Sequence, residues 1–127
     1  MTPELILQNY FFEVLTEQGF DVYDYLPDES ASYPFILISN SQNITEATKT
    51  STGGNVVLTI DVWGSKEQRY KVAQVTEEVS NLFKGRKQIE SYIFDRMLNL
   101  DNRAYTVDNS SNQIFLHSQL QLNYKFY

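Results

Sequence analysis

The run Ile60-Asp61-Val62-Trp63-Gly64-Ser65-Lys66-Glu67-Gln68-Arg69 constrains this chain more than any other segment. Val56, Leu58, Ile60 and Val62 share one face of an alternating strand, while Val57, Thr59, Asp61 and Trp63 share the other. The alternation then stops, Gly64 supplies a turn, and Ser65 caps a helix with Gln68 at the capping-box position. Val72, Val75, Val79, Leu82 and Phe83 form the helix's apolar stripe, and Gly85 ends it.

Other segments read by the same rules. Thr2 suits a helix cap, Pro3 the first helical position and Gly19 the left-handed residue past the last turn. Leu7, Tyr10, Phe11, Val14 and Leu15 recur between them, so a first helix is expected over about residues 3 to 18. Phe20 to Leu26 reads as a short strand, and Pro27-Asp28-Glu29-Ser30 as a turn. The continuous apolar run Pro34 to Ile38 suits a strand inside a sheet.

From Asn40 to Asn55 the chain is polar and rich in Thr and Ser. Such a segment predicts a strand leaving the core, a hairpin tip around residues 49 to 54 with Gly53-Gly54 in the turn, and a strand returning. Tyr92 to Leu100 and Ala104 to Val107 read as strands, and Asp108 to Asn112 as a turn. In the last strand Ile114, Leu116, Leu120, Leu122, Tyr124 and Phe126 face the core, with Ser118 the exception. Phe115, His117, Gln119, Gln121, Asn123, Lys125 and Tyr127 face the other way, to water or another subunit. The expected fold is one α+β domain over residues 1–127: a mixed, largely antiparallel sheet, two helices packed on one face, and a projecting Thr-rich hairpin.

Composition narrows the function. With 127 residues and no cysteine, the chain can bury a sizeable core without disulfides, and thiolate metal sites are excluded. A net charge of -6 opposes tight nucleic-acid binding. The local cations Lys84, Arg86 and Lys87 sit past a helix, where its dipole favours them. Met1-Thr2-Pro3-Glu4 lacks a signal peptide's basic region, and no apolar stretch reaches membrane-spanning length, so a soluble intracellular protein is expected.

No residue cluster announces a chemistry. His117, the single histidine, has no visible second ligand and reads as a surface or interface residue. Glu77 and Glu78 point about 100° apart on a helix and do not share a proton. Gly53-Gly54 is followed by Asn55 and a strand, not by the Lys-Ser/Thr and helix of a phosphate loop. Trp63 fits either a contact surface or a core position under the second helix. The Thr-rich segment fits either a mobile loop or an arm that adds to a neighbour's sheet edge. No catalytic, cofactor or metal residue is assigned. The candidate interface residues are Thr45, Thr48, Lys49, Thr50 and Thr52 on the arm, Trp63, and Phe115, His117, Gln119 and Gln121 on the last strand.

Taken with Tyr23-Asp24-Tyr25-Leu26-Pro27, Tyr33-Pro34-Phe35-Ile36, Thr48-Lys49-Thr50 and the alternating C-terminal strand, the Val62-Trp63-Gly64-Ser65 helix entry resembles the tail terminator (tail completion) proteins of long-tailed bacteriophages. The resemblance implies an α+β protomer that forms a six-subunit ring on a finished tail tube, stops tube polymerisation and presents a surface to the head connector. It implies no enzymatic activity and no cofactor. The implied partners are further copies of the chain, the tail tube protein and a head completion or connector protein. The implied location is the tail–head interface of the virion, after assembly in the host cytoplasm. An acidic balance also suits a channel through which DNA slides without sticking. The alternatives are a neighbouring head completion protein and, from another class, a small intracellular α+β ligand-binding or regulatory domain.

Overall fold

The computed structural model describes residues 1–28, 30–45, 53–110 and 113–127, with Thr45 described by its backbone alone. Helix α1 (Pro3–Glu17) starts on its proline and buries Ile6, Leu7, Phe11 and Leu15. Thr2 holds the cap position in an extended conformation, but its side chain makes no capping bond. The helix ends at Gly19, whose φ is 93°. There the Gly19 N–H donates to the Thr16 carbonyl at 3.0 Å and the Phe20 N–H to Leu15 at 3.2 Å, the paired bonds of a Schellman stop.

Strand β1 is only Val22–Tyr23, shorter than the residues suggest, because it lies at the sheet edge and pairs only with Ile36 and Leu37. Strand β2 (Phe35–Thr45) runs antiparallel to β3 (Gly54–Ser65), with a register shift between Ile38 and Asn40. A 3-10 turn (Lys66–Gln68) leads into α2 (Arg69–Ser80). Strands β4 (Arg86–Ile89) and β5 (Tyr92–Arg96) form a hairpin; a 3-10 turn (Leu98–Leu100), β6 (Asn102–Asp108) and β7 (Phe115–Phe126) complete the fold. The sheet order is β1-β2-β3-β7-β5-β4, and β6 pairs with β7. Among the described residues only β1–β2 is parallel, so the architecture is α+β with a mixed, largely antiparallel sheet.

Both helices pack on the same side of the sheet, α1 over β2 and β3 and α2 over β3 and β7. That side carries Ile36, Ile38, Val56, Leu58, Ile60, Val62, Leu120, Leu122 and Tyr124, all buried. Ser118 lies buried in the same row, where Thr76 Oγ1 of α2 bridges its hydroxyl (2.9 Å) and the Val72 carbonyl (2.7 Å). The serine breaks an apolar face because α2 brings a hydroxyl to it.

Four local expectations are corrected. Gly64 is no turn residue: β3 continues through it to Ser65, and Gly64 pairs with Leu116. Helix α2 ends at Ser80 rather than Gly85, and Phe83 enters the core from the segment that follows. Lys84, Arg86 and Lys87 do not serve a helix terminus as a group. Arg86 starts β4 and pairs with Asp95 across the hairpin at 2.7 and 2.8 Å, while Lys87 reaches the Tyr10 hydroxyl at 3.2 Å. Ile114 precedes β7 and is exposed, because the inward alternation begins only at Leu116.

The expected strand from Tyr92 to Leu100 breaks after Arg96, and the cause is a buried network. The Arg96 guanidinium donates to the Ser80 and Phe83 carbonyls, each at 2.9 Å, and so satisfies backbone acceptors at the end of α2. It also pairs with Asp101 at 2.8 Å. Tyr124 donates to the Phe83 carbonyl, and burial pushes its hydroxyl pKa well above the ordinary value. Asp101 accepts the Asn123 N–H at 2.8 Å, which fastens the 97–101 segment to β7.

A candidate interaction face on the outer side of the sheet

The side of the sheet away from the helices is built in register. Cross-strand pairing sets Phe35, Trp63, His117 and Thr106 in one row across β2, β3, β7 and β6. Leu37, Asp61, Gln119 and Ala104 form the next row, and Asn40, Thr59, Gln121 and Asn102 the one after. Because side chains alternate along each strand, every member of these rows faces the same way.

The centre of the face is ordered by one carboxylate. Asp61 is buried, and His117 Nε2 lies 2.5 Å from its Oδ1. Gln119 Nε2 donates to the same oxygen at 3.2 Å. Burial pushes the Asp61 carboxyl up, but hydrogen bonds from His117, Ser39 and Gln119 outweigh it and leave the group below its ordinary value. Trp63 stacks on the imidazole with ring centroids 4.0 Å apart and planes 3° from parallel. Thr106 Oγ1 stands 3.5 Å from Nδ1, the other imidazole nitrogen. The result is an imidazole held on one ring face by Trp63 and at Nε2 by Asp61. The indole Nε1 of Trp63 is buried and has no hydrogen-bond partner among the described residues.

Of the sequence-derived candidates, Trp63, His117, Gln119 and Gln121 come together on this face. Trp63 is not under α2; its neighbours in β3, Val62 and Gly64, take that side, and Trp63 is half-exposed. Phe115 lies on the same side but belongs to another group. It stacks on Tyr33 (5.0 Å), which meets Phe35 (5.2 Å), which meets Tyr23 (5.7 Å). Thr45 pairs with Gly54 at the far end of β2. Thr48, Lys49, Thr50 and Thr52 lie outside the described residues, and Gly54, expected in the hairpin turn, instead begins β3 and pairs with Thr45 and Phe126.

Asp61, the organising residue, was missed as a site residue. Its signal was a lone acid inside an apolar strand, on the same face as Trp63. Pairing it with His117 needed the β3–β7 register, which puts His117 opposite Trp63 and one row from Asp61. Among the described residues no three metal-ligating side chains converge, and no helix is long and apolar enough to cross a membrane.

A comparison with protein-family models finds no match for this sequence, and a comparison with curated proteins finds none either.

Proposed function

We propose that this chain is a structural phage neck protein: a ring, six-membered by the family resemblance, that caps the tail tube, stops its polymerisation and joins tail to head connector. The observation that carries the reading is the outer sheet face, with Trp63, His117, Asp61 and Gln119 held together at its centre. A pre-ordered surface loses little side-chain entropy when a second protein covers it. Half-exposed Trp63 supplies the kind of aromatic anchor that dominates such contacts.

The test is electron microscopy of a lysate from the parent phage with this gene disrupted. Overlong headless tails beside DNA-filled heads are expected. Normal virions would overturn the reading and bring the ligand-binding alternative forward. Deleting residues 46–53 should leave the protomer folded but remove binding to the tube end; retained binding would remove the hairpin from the mechanism.

A further inference from the structure

Strand β6 pairs with β7 on one side only, so alternate residues along it present backbone donors and acceptors outward with no partner among the described residues. Sheets usually guard such an edge by shortness, charge or cover. The other edges here are guarded. Strand β1 has two residues, and β4 carries Arg86 and Lys87. The outer edge of β2 beyond Leu37 is polar from Ser39 to Asn43, where Ser41 and Asn43 donate to Gln8 and Glu4 of α1 at 2.9 and 3.0 Å. Strand β6 differs. Its charges, Arg103 and Asp108, sit near its ends and are engaged, Arg103 with Glu77 at 2.9 Å and Asp108 with the Ser110 N–H at 2.9 Å. Between them Ala104-Tyr105-Thr106-Val107 is uncharged, and all four residues are exposed. Tyr25, Leu26 and Tyr70 are more exposed than Tyr105 and Val107. Exposure therefore does not set this edge apart; the unpaired backbone beside it does.

On the helix side of that edge a mainly apolar groove of about 480 Å³ runs between β6 and α2. Tyr105 and Val107 take this side because they pair with the inward-facing Ser118 and Leu116. Both line the groove, with Leu116 and with Val72 and Ala73 of α2. Thr106 and His117, paired across β6 and β7, line it too, which brings it to the margin of the Asp61 cluster. Arg69, Ala73 and Glu77 recur at four-residue spacing and so form one row along α2. From Glu77 to Arg69 the helix covers about 12 Å, and from Arg103 to Val107 the strand covers about 13 Å. The Glu77–Arg103 pair thus closes one end of the groove, and Arg69 stands toward Val107 at the other. Arg69 forms no ion pair among the described residues.

We propose that the β6 edge and its groove are a docking site for an extended segment of a partner protein. The segment pairs with β6 as an added strand, sets small apolar side chains on the Tyr105 and Ala73 side, and meets Arg69 with a carboxylate at the Val107 end. Main-chain hydrogen bonds supply the affinity in this mode, and the groove and the arginine supply the choice of sequence. The site lies on an edge of the sheet, apart from the Trp63 surface, and does not depend on the neck assignment.

The test is an NMR titration of the full chain, labelled with nitrogen-15, using two blocked peptides at millimolar concentration: Thr-Asp-Thr-Val-Thr-Val-Thr and the same residues in reverse order. The first puts its Asp by Val107 in an antiparallel pairing, the second in a parallel one. One of them should shift the amide signals of β6 and of Arg69 and Ala73; no shift from either overturns the site. Methylating the backbone nitrogens of alternate probe residues removes the donors of one edge. One alternate set should abolish binding and the other spare it; any other pattern overturns strand pairing. Asn for Asp in the probe should weaken binding about threefold, as for an exposed ion pair. Arg69→Gln should do the same, and the two changes together should cost no more than either; additive losses overturn the carboxylate's pairing with Arg69. Ala73→Trp, at an exposed helix position, fills the groove and should abolish the shifts, and unchanged binding removes the groove from the site. Signals of β6 that move when the chain is diluted without probe would put a second copy on the edge and overturn the partner protein.

Discussion

A β-carbon on Gly64 would stand 2.3 Å from the γ2 methyl of Val72. That separation is well inside van der Waals contact, so α2 sits directly against the backbone of β3 at this point. Gly64→Ala should therefore lower stability by about 1–3 kcal/mol through overpacking. Val72→Ala in the same chain should recover part of the loss, although alone it leaves a cavity. Chemical denaturation of the two single variants and the double gives the coupling, and additive losses would show that the close approach is not the cause.

Arg96 joins the end of α2, the turn after β5 and strand β7. Arg96→Met removes the charge, leaves Asp101 without its cation and the Ser80 carbonyl without the guanidinium, and leaves the Phe83 carbonyl with the Tyr124 hydroxyl alone. A loss of about 3–5 kcal/mol is expected, as when one partner of a buried pair is removed. Urea unfolding monitored by Trp63 fluorescence measures it. A loss under about 1 kcal/mol would mean the network is not a structural centre.

The Asp61 carboxylate gives stability a defined pH dependence. Its folded-state pKa is below the ordinary 3.8, so its contribution is present above that value and is lost as pH falls through the lowered one. Asp61→Asn should thus be destabilised relative to the natural chain at pH values above the ordinary 3.8. The gap should narrow as pH is taken below about 4. A gap that is constant with pH would show that ionisation of Asp61 does not contribute.

The two faces of β7 should respond differently to one substitution. Leu120 is fully buried, whereas Gln121 lies in the outer row between Thr59 and Asn102. Leu120→Asp buries an unpaired charge and should cost at least about 4 kcal/mol, enough to unfold much of the population. Gln121→Asp should stay within about 0.5 kcal/mol of the natural chain. Thermal melts decide, and equal tolerance would contradict the orientation of the strand.

Local periodicity carried much of the architecture. The alternation of Val56, Leu58, Ile60 and Val62 and that of Leu116 through Phe126 identified the two central strands and their buried sides. The spacing of Leu7, Phe11 and Leu15 and of Val72, Val75 and Val79 did the same for the helices. Strand β4 escaped because Arg86-Lys87-Gln88-Ile89 has no apolar alternation; it is a strand only because β5 pairs with it. Leu98–Leu100 looked like more strand because the role of Arg96 depends on carbonyls some 13 to 16 residues away.

What the sequence determined by itself was which stretches alternate, which are helical and which faces are apolar, since each is set by neighbours within a few residues. Tertiary structure alone decided the purpose of Gly64, the pairing of Ser118 with Thr76, the His117–Asp61–Trp63 cluster and the meeting of α2 with β6. These depend on the register between strands distant in sequence and on where a helix lands on the sheet, and both follow from the packing of the whole core.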